Sequence, residues 1–447
     1  MQSCNVSILE LLFSLWFVNK DIEYFMTIGN VMYGWAVDLF PINRSITGKG
    51  VRDTLAYLGN LLPDLTINEI PSGTKAYDWT VPDEWIIREA FIDDEHGNHI
   101  IDFKKNNLHL VGYSEPVDVW LNREELDRFI YSIPEQPEAI PYRTSYYQRR
   151  WGFCLTENQR RALPNGRYHV VIDSELKPGV LNYGELLLPG KDDHEILLST
   201  YICHPSMANN EVSGIVVTTA LAQWLKSLTN RRYTYRIVFI PETIGSIVYL
   251  SRHAERMKKK TVAGFVITCV GDDRAYSFLP SRKGGTLADR VAEHIMNRNV
   301  KEYTRYSFLK RGSDERQYCS PLIDLPVVSI MRSMYGTYPE YHTSLDDLTV
   351  ISAEGLGGAF NVIKKCLNAL EVNYRYKATI PCEPQLGKRG LYFPSSNDDP
   401  DAQSNLLAYA DGEKDLLEIA EIINDDIFTC ADIAERLEKI GLVQRCC

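Results

Sequence analysis

Strand-like runs that alternate with helical runs restrict the fold of this chain more than any other feature. Two helical runs, 212–228 and 246–259, separate short apolar runs that have the length of strands. The strand-like runs are 168–172, 195–200, 235–240, 264–269 and 326–331. Strands that alternate with helices form a mostly parallel sheet with helices on both faces. The sequence therefore predicts an α/β fold, with functional residues at the carboxyl ends of its strands.

Residues 70–154 differ in character from the rest of the chain. Short alternating segments are separated there by turn signals, such as the His-Gly-Asn sequence at 96–98. These segments are 78–86, 89–93 and 108–111. We interpret the region as a small β-rich insertion that divides the α/β domain into 28–69 and 155–380. Its aromatic residues are interpreted as packing residues rather than a ligand platform; they are Trp79, Trp85, Trp120, Tyr146 and Trp151.

The two ends of the chain are interpreted separately. Residues 385–447 begin with a linker rich in Pro, Gly, Ser, Asn and Asp and continue with three short apolar-periodic runs, which favours a winged-helix-like module. Residues 8–18 are apolar but too short to span a bilayer, and no Lys or Arg precedes them. We interpret residues 1–25 as an N-terminal extension before a translation start at Met26, with a signal peptide as the alternative. A cytoplasmic location is expected in either case.

Charge and cysteine content exclude several classes of protein. The 447 residues carry 48 Lys and Arg against 59 Asp and Glu, which gives a net charge of -11. A nucleic-acid-binding protein needs a basic surface, so nucleic acid is an unexpected partner even for the C-terminal module, which is itself acidic. The ten cysteines form no C-x-x-C pair, which excludes zinc-finger and thioredoxin-type sites and favours free thiols.

Two polar segments follow strand-like runs directly. The first, TYICHPSMANNEVSG, carries His204, Asn210 and Glu211. An imidazole with amide and carboxylate groups at a strand end can form half of a metal site, although a hydrogen-bonded loop that caps the next helix is the alternative. The second segment carries Glu242, which can act as a general base on water or can simply stabilise the N-terminus of the following helix.

A dense cluster of charges precedes the last strand-like run. It consists of Arg311, Asp314, Glu315 and Arg316. Such a cluster suits recognition of a charged substrate end, whereas a solvated loop is the alternative. Arg44, in the polar turn at 41–50, is a further candidate for holding a substrate end.

The segment YPEYHTSLDDL holds another histidine. His342 follows Tyr341, and Asp346 stands four residues further on, where its carboxylate could orient the imidazole. A hydrogen-bonded structural histidine is the alternative. Taken together, the four polar segments favour a shared site more strongly than any one of them does alone.

Five sequence blocks carry a resemblance to a known family. They are NRSITGKG, YICHPSMANNEVSG, PETIGS, GSDERQYCSP and YPEYHTSLDDL. Over residues 28–447 the chain resembles bacterial aminopeptidase-like proteins associated with polysaccharide-biosynthesis loci, which are distant relatives of the co-catalytic zinc aminopeptidases and of glutaminyl cyclases. The resemblance implies a zinc-aminopeptidase-like α/β fold split by a small β insertion, and a winged-helix-like C-terminal module.

The resemblance also implies a zinc site, which this sequence matches only in part. His204 and His342 match the first and last histidine ligands, and Glu242 matches the general base. Neutral residues stand where carboxylate ligands are implied: Asn210 for the metal-bridging Asp, Thr243 for the next carboxylate and Thr268 for another Asp. Neutral ligands cannot balance the charge of two zinc ions. We therefore expect one zinc ion at most, held by the two histidines, with Glu242 or Glu211 completing the site.

These observations lead to two hypotheses about function. The first is a metallohydrolase that cleaves an amide bond in a small peptide-like or amino-sugar-linked substrate, with a zinc-activated water and Glu242 as general base. The residues expected to bind substrate are Arg44, Glu211, Arg311, Asp314, Glu315 and Tyr341. The alternative, motivated by the neutral ligand positions, is a degenerate metal-free protein that binds a glycan precursor or a protein partner. A homo-oligomer is compatible with both hypotheses, and no membrane partner is expected.

Overall fold

A computed structural model describes residues 27–389 and 400–446 of the chain. The N-terminal extension predicted at 1–25 lies outside the described residues. Among the helices that the structure describes, none combines the length and the apolar character needed to cross a membrane.

The strands fall into one large sheet and several smaller ones. In chain order they are β1 (Thr66–Pro71), β2 (Lys75–Ala76), β3 (Trp79–Thr80), β4 (Glu84–Asp93), β5 (His99–Asp102), β6 (Val117–Asn122), β7 (Ile130–Tyr131), β8 (Phe153–Cys154), β9 (Arg167–Lys177), β10 (Val180–Leu188), β11 (Glu195–Tyr201), β12 (Thr234–Ile240), β13 (Thr261–Val266), β14 (Ser277–Leu279), β15 (Thr304–Arg305), β16 (Val327–Met331), β17 (Arg375–Ala378), β18 (Asp411–Asp415) and β19 (Val443–Arg445).

Long helices follow four of the eight strands of the large sheet, and the helices of the insertion are short. In chain order they are α1 (27–39), α2 (Lys49–Leu61), α3 (Arg123–Asp127), α4 (Glu157–Ala162), α5 (Ser213–Ser227), α6 (Ile244–Lys260), α7 (Leu287–Asn299), α8 (Glu315–Tyr318), α9 (Ala353–Val372), α10 (Pro400–Tyr409), α11 (Leu416–Ile422) and α12 (Ile427–Lys439). A wide π-helical turn, Ala208–Val212, leads into α5.

The large sheet has eight strands in the order β1-β10-β12-β11-β13-β16-β14-β15. Its four central strands, β12, β11, β13 and β16, run parallel to one another. Antiparallel pairs flank them, formed by β10 on one side and β14 on the other. Every residue of β11 is buried, as expected for a strand covered on both faces. The predicted α/β fold class is therefore confirmed.

The two faces of the sheet have separate cores because side chains alternate along each strand. On β11, Ile196 and Leu198 pack into one core, and Leu197 packs into the other. The first core also contains the apolar faces of α1, α2, α5, α7 and α9, and the second contains α6 and the insertion. The insertion thus covers part of one sheet face instead of standing apart from the domain.

The insertion is built around a four-stranded antiparallel sheet with the order β5-β4-β9-β6. The strand predicted at 168–172 as the first strand of the parallel sheet belongs here, because β9 pairs with β4 and β6. Its alternating burial is typical of a strand with only one face on a core. The antiparallel sheet therefore extends beyond the boundary predicted at residue 154. The segment predicted as a strand at 108–111 begins with a short 3₁₀ turn, capped by the Asn106 side chain.

The C-terminal unit places α10, α11 and α12 beside a three-stranded sheet with the order β18-β17-β19. Because β17 is the central strand, the unit begins ahead of residue 385, the predicted boundary. Its helices share a core with α7 and α9. At this interface the Ile427 backbone N–H donates to Nε2 of His294 over 3.1 Å. The N-terminus of α12 is therefore buried against the α/β domain.

Candidate active site

The carboxyl ends of four adjacent strands bring the candidate site together. His204 follows β11, Glu242 follows β12, Thr268 follows β13, and His342 lies in the loop after β16. Parallel neighbours end at the same edge of a sheet, so residues distant in sequence meet there. The ring centroids of His204 and His342 are 5.4 Å apart, and Nε2 of His204 lies 3.6 Å from the Glu242 carboxylate.

Glu211 fixes the orientation of His204. One oxygen of its carboxylate lies 2.6 Å from Nδ1 of His204 and also accepts the backbone N–H of the same residue over 2.7 Å. The other oxygen pairs with Nε of Arg44 at 3.1 Å. Burial opposes a positive charge on His204, but the charge and hydrogen bond of Glu211 outweigh it, so the pKa of His204 is raised. With Nδ1 engaged, Nε2 is left to face Glu242.

His342 has the opposite protonation preference. Burial, followed by the nearby charge of His204, lowers the pKa of His342 to about 3. Its ring stacks on Tyr341 and meets Tyr142 edge-on. Its Nε2 atom is buried and has no hydrogen-bond partner among the described residues. A buried polar atom without a partner costs about 1–3 kcal/mol of stability, so this nitrogen is a candidate for binding a ligand.

Two carboxylic acids at this edge have raised pKa values. Burial raises the pKa of Glu242, although the charges of His204 and Arg316 oppose the shift. Burial, together with the charge of Glu242, raises the pKa of Asp314 to about 7. One oxygen of Asp314 accepts the Thr243 N–H at 2.8 Å and the Ser246 hydroxyl at 2.7 Å. Asp314 therefore holds the turn that presents Glu242.

Strained backbone is found around the same edge, which holds four of the nine described non-glycine residues with positive φ angles. Ser206, Thr243, Cys269 and His342 all have positive φ angles, between 43° and 65°. Thr243 is β-branched, and its turn is closed by a 2.8 Å hydrogen bond from the Ile244 N–H to the Glu242 carbonyl. Conformations of this kind cost roughly 1–3 kcal/mol each and occur preferentially at functional sites. The strain is an independent indication that this edge has a function.

Neutral groups occupy the part of the site where carboxylate ligands were implied. The Tyr201 hydroxyl contacts Nδ2 of Asn210 at 2.7 Å and Oγ1 of Thr268 at 2.5 Å, and it donates to the Asn210 carbonyl over 2.9 Å. The phenol thus bridges two of the substituted positions. Tyr201 was not predicted as a site residue, and its one signal was a polar group at the end of a buried strand. Oδ1 of Asn210 is buried without a partner among the described residues.

The residues fit a single zinc ion better than two. Nε2 of His342 and Oδ1 of Asn210 are a nitrogen and an oxygen donor that are buried without a partner among the described residues, and Nε2 of His204 faces Glu242 at 3.6 Å. Among the described residues, Cys203, His204 and Glu211 also bring potential ligand atoms within 4.8 Å of one another. That group is already a hydrogen-bonded network, however, with Glu211 paired to an arginine. Burial also raises the pKa of the Cys203 thiol well above its usual value, which keeps the thiol protonated.

A cavity of about 310 Å³ opens onto the site. Its lining consists of Ile46, Trp79, Tyr142, Thr144, Tyr146, Tyr147, Cys203, His204, Glu242, Thr243, Ile244, Arg316 and His342. Four of these residues are aromatics of the insertion. The insertion also holds the His342 loop, because the Tyr142 N–H donates to the His342 carbonyl over 2.9 Å.

The prediction that the aromatics of the insertion are only packing residues is therefore wrong for several of them. Trp85 is buried, with 4% of its surface exposed, as predicted. Trp79 and Trp120, in contrast, are 37% and 46% exposed, and Tyr146 lines the cavity. Trp120 lies on β6, where most side chains are exposed, and Tyr146 lies in a turn, so neither position belongs to a strand buried on a core.

The predicted substrate-binding residues lie around the cavity but do not line it. Arg44 is 1% exposed and binds the carbonyls of Leu39 and His204 in addition to Glu211, so it supports the site from behind. Glu315 accepts the Gly312 and Ser313 N–H groups and likewise shapes a loop. Neither Arg44, Glu211, Asp314, Glu315 nor Tyr341 lines the cavity.

Among the described arginines, it is Arg316 and not the predicted Arg311 that faces the cavity. Arg311 is exposed, and its guanidinium lies 5.2 Å from the Phe308 ring centroid. Arg316 donates from Nη2 to the Thr243 hydroxyl over 2.5 Å. The predicted orienting role of Asp346 also differs, because its carboxylate accepts the N–H groups of Asn209 and Asn210 and holds the π-helical turn.

Comparison with known proteins agrees with this architecture. The family described as a domain of unknown function (DUF4910) matches residues 33–373, and a winged helix-turn-helix family matches residues 374–445. A Clostridium acetobutylicum protein, described as a candidate polysaccharide biosynthesis protein with an aminopeptidase-like domain, is 43% identical over 95% of this chain and 99% of its own length.

Solved structures extend the comparison. A crystal structure of a candidate peptidase from Clostridium acetobutylicum has a TM-score of 0.90 at 40% identity, covering 96% of this chain and 99% of that one. A zinc aminopeptidase from Bacillus subtilis has a TM-score of 0.58 at 11% identity, covering 76% of this chain and 95% of its own, which shows a shared fold. The predicted resemblance to aminopeptidase-like proteins with a winged-helix module is thus confirmed.

Proposed function

We propose that this chain, which belongs to the family described as a domain of unknown function (DUF4910), is a metallohydrolase that cleaves an amide bond. The observation that carries the proposal is the meeting of two histidines from distant parts of the sequence, with ring centroids 5.4 Å apart, beside the half-buried carboxylate of Glu242. The three side chains line one cavity. This combination of imidazole and carboxylate groups is typical of catalytic zinc sites.

His204, His342 and Asn210 are the residues that would hold one zinc ion. Such an ion supplies a water of lowered pKa and polarises a carbonyl oxygen. Surrounding groups fix the orientation of one of these side chains and the protonation of another. Glu211 engages Nδ1 of His204 and leaves Nε2 available, while burial keeps His342 neutral.

Glu242 would serve as the general base. Burial raises its pKa above the ordinary value, which is the direction that favours a proton carrier. In the proposed reaction Glu242 takes a proton from the attacking water and delivers it to the amine that leaves. Arg316 lines the same cavity and can stabilise negative charge that develops on the substrate.

Metal content and activity, measured on one preparation, test this proposal. The purified chain is analysed for bound zinc, stripped of metal, and assayed on a panel of N-acylated amino sugars and aminoacyl amides. We expect activity to disappear on stripping and to return when about one equivalent of zinc is added. Full activity in the stripped protein would rule out the metallohydrolase.

A second candidate function is a metal-free binding protein. The observation that favours it is the pairing of His204 with Glu211 on one side and Glu242 on the other, which can satisfy a protonated imidazole without any ion. Such a protein would bind a glycan precursor or a protein partner. Saturable binding of a ligand from the same panel, without bound zinc and without product, would favour this alternative.

A further inference from the structure

Two exposed aromatic side chains form a wall of the candidate active-site cavity. Trp79 and Tyr147, both from the insertion, are 37% and 52% exposed, and both line the cavity. Their ring centroids are 5.4 Å apart, with the planes at 72°. Large aromatic surfaces that stay open to solvent at the mouth of a cavity indicate a binding function.

Hydrogen bonds hold the two segments that carry these rings. Trp79 lies on the β2–β3 hairpin, which is fixed to the α/β domain because the Tyr77 hydroxyl donates to the Leu250 carbonyl in α6 over 3.0 Å. Tyr147 follows Ser145, whose hydroxyl lies 3.1 Å from the carbonyls of Gly112 and Tyr113. Preorganised aromatic groups lose little conformational entropy when a ligand binds. We call this pair the aromatic shelf.

The rest of the lining narrows the class of ligand. Ile46 and Ile244 are the aliphatic residues of the lining, which makes the cavity a poor match for an aliphatic peptide side chain. Hydroxyl groups are frequent instead, with Tyr142, Tyr146 and Thr144 near the shelf. Aromatic faces combined with hydroxyl groups match a sugar ring, which has apolar C–H faces and a polar edge. A volume of about 310 Å³ suits a single such ring.

Arg316 adds a donor on the inner side of the cavity. Its Nη2 binds Thr243, but its Nε is buried and has no partner among the described residues. A donor in this position can bind the carbonyl oxygen of an acyl group that reaches in toward Glu242.

We propose that the aromatic shelf binds the pyranose ring of an N-acylated amino sugar and directs its amide toward Glu242. This inference rests on the proposed amide hydrolysis and names its substrate class. The description of the Clostridium acetobutylicum relative as a polysaccharide biosynthesis protein agrees with it.

Binding and turnover measured separately on the full chain test the proposal. Calorimetric titrations use N-acetylglucosamine and N-acetylgalactosamine, as monomers and short oligomers, with phenylalanine amide as the peptide-like comparison. The variants are Trp79→Ala and Tyr147→Ala. The matched control is Trp120→Ala, because Trp120 is an equally exposed tryptophan of the insertion that stacks on His169 and does not line the cavity.

We expect at least one amino sugar to bind, with affinity reduced about tenfold by either shelf variant and unchanged by Trp120→Ala. In turnover assays the shelf variants should raise KM and leave kcat nearly unchanged. Failure of every amino sugar to bind would overturn the proposal, and so would binding that is insensitive to both shelf variants. Shelf-dependent binding of phenylalanine amide alone would also overturn it.

The outcomes separate this inference from the proposed reaction. Shelf-dependent binding of a sugar without product supports the shelf and contradicts the hydrolase. Amide cleavage with an unchanged KM in both shelf variants supports the hydrolase and overturns the shelf.

Discussion

The site has a charged part and a neutral part, which differ in the groups that they offer to a ligand. The charged part, His204, Glu242 and His342, contains an unsatisfied imidazole nitrogen and a carboxylic acid of raised pKa. The neutral part, Tyr201, Asn210 and Thr268, is held together by short hydrogen bonds around one phenol. The contrast teaches that the groups assigned to proton transfer in the proposed reaction lie in one part, whereas the other part offers no carboxylate to a second metal ion.

The largest effect should come from the charged part. Replacing Glu242 with Gln removes the proton carrier while preserving size. We expect kcat to fall roughly 10²–10⁴-fold with the melting temperature little changed, since the raised pKa of Glu242 shows that its charge is not strongly stabilised. Steady-state kinetics and thermal unfolding measure both quantities. A Glu242→Gln variant with unchanged activity would show that Glu242 is not the general base.

Zinc affinity should respond in opposite directions in the two parts. The change His342→Gln removes a ligand and should abolish stoichiometric zinc binding. The change Asn210→Asp introduces a carboxylate, and zinc should bind about tenfold more tightly or better. Competition with a zinc-sensitive dye gives both affinities. Equal affinities in Asn210→Asp and the natural protein would place Asn210 outside the metal site.

A smaller effect is expected from the phenol of the neutral part. The change Tyr201→Phe leaves polar groups of Asn210 and Thr268 without their buried partner, so the free energy of unfolding should fall by about 1–3 kcal/mol. Zinc content should stay the same. Tyr318→Phe is the matched control, because its buried hydroxyl meets Ser199 away from the cavity. Chemical denaturation measures the difference, and loss of zinc in Tyr201→Phe would show that the neutral part is more than structural.

The last expected effect is a pH dependence of stability at Asp314. Its pKa is raised to about 7 from an ordinary 3.8, so between these values the folded state holds a proton that the unfolded state has lost. Stability therefore falls as pH rises through this window. The isosteric Asp314→Asn variant should lack this slope and should gain relative stability toward pH 7 and above. Denaturation at a series of pH values tests the prediction, and parallel curves for the two proteins would contradict it.

The four central strands of the large sheet were predictable from sequence because they carry continuous apolar runs and their helices a clear period, whereas the flanking strands β1, β10, β14 and β15 were not predicted. The same argument failed for β9, where alternation of buried and exposed residues was the better guide to an antiparallel partner. Continuous and alternating burial thus separate the two sheets of this chain more reliably than the position of a strand between helices.

The candidate site was predictable in its centre and less so at its edges. Strand ends and the family resemblance led to His204, Glu242 and His342. The choice of Arg311 over Arg316 could not be corrected from sequence, because Arg311 lies in a loop and Arg316 on the short helix α8, where no periodicity indicates which one faces inward. Tyr201 was missed for a similar reason, since a tyrosine at the end of a buried strand is typical of ordinary packing.

The attachment of the insertion to the His342 loop has a mechanical consequence. Two backbone hydrogen bonds of 2.9 Å hold the loop: the Tyr142 N–H donates to the His342 carbonyl, and the Ser344 N–H donates to the Ile140 carbonyl. A displacement of the insertion, even by a fraction of an ångström, would therefore also move the imidazole of His342. The folding of the insertion therefore contributes to the placement of the His342 imidazole.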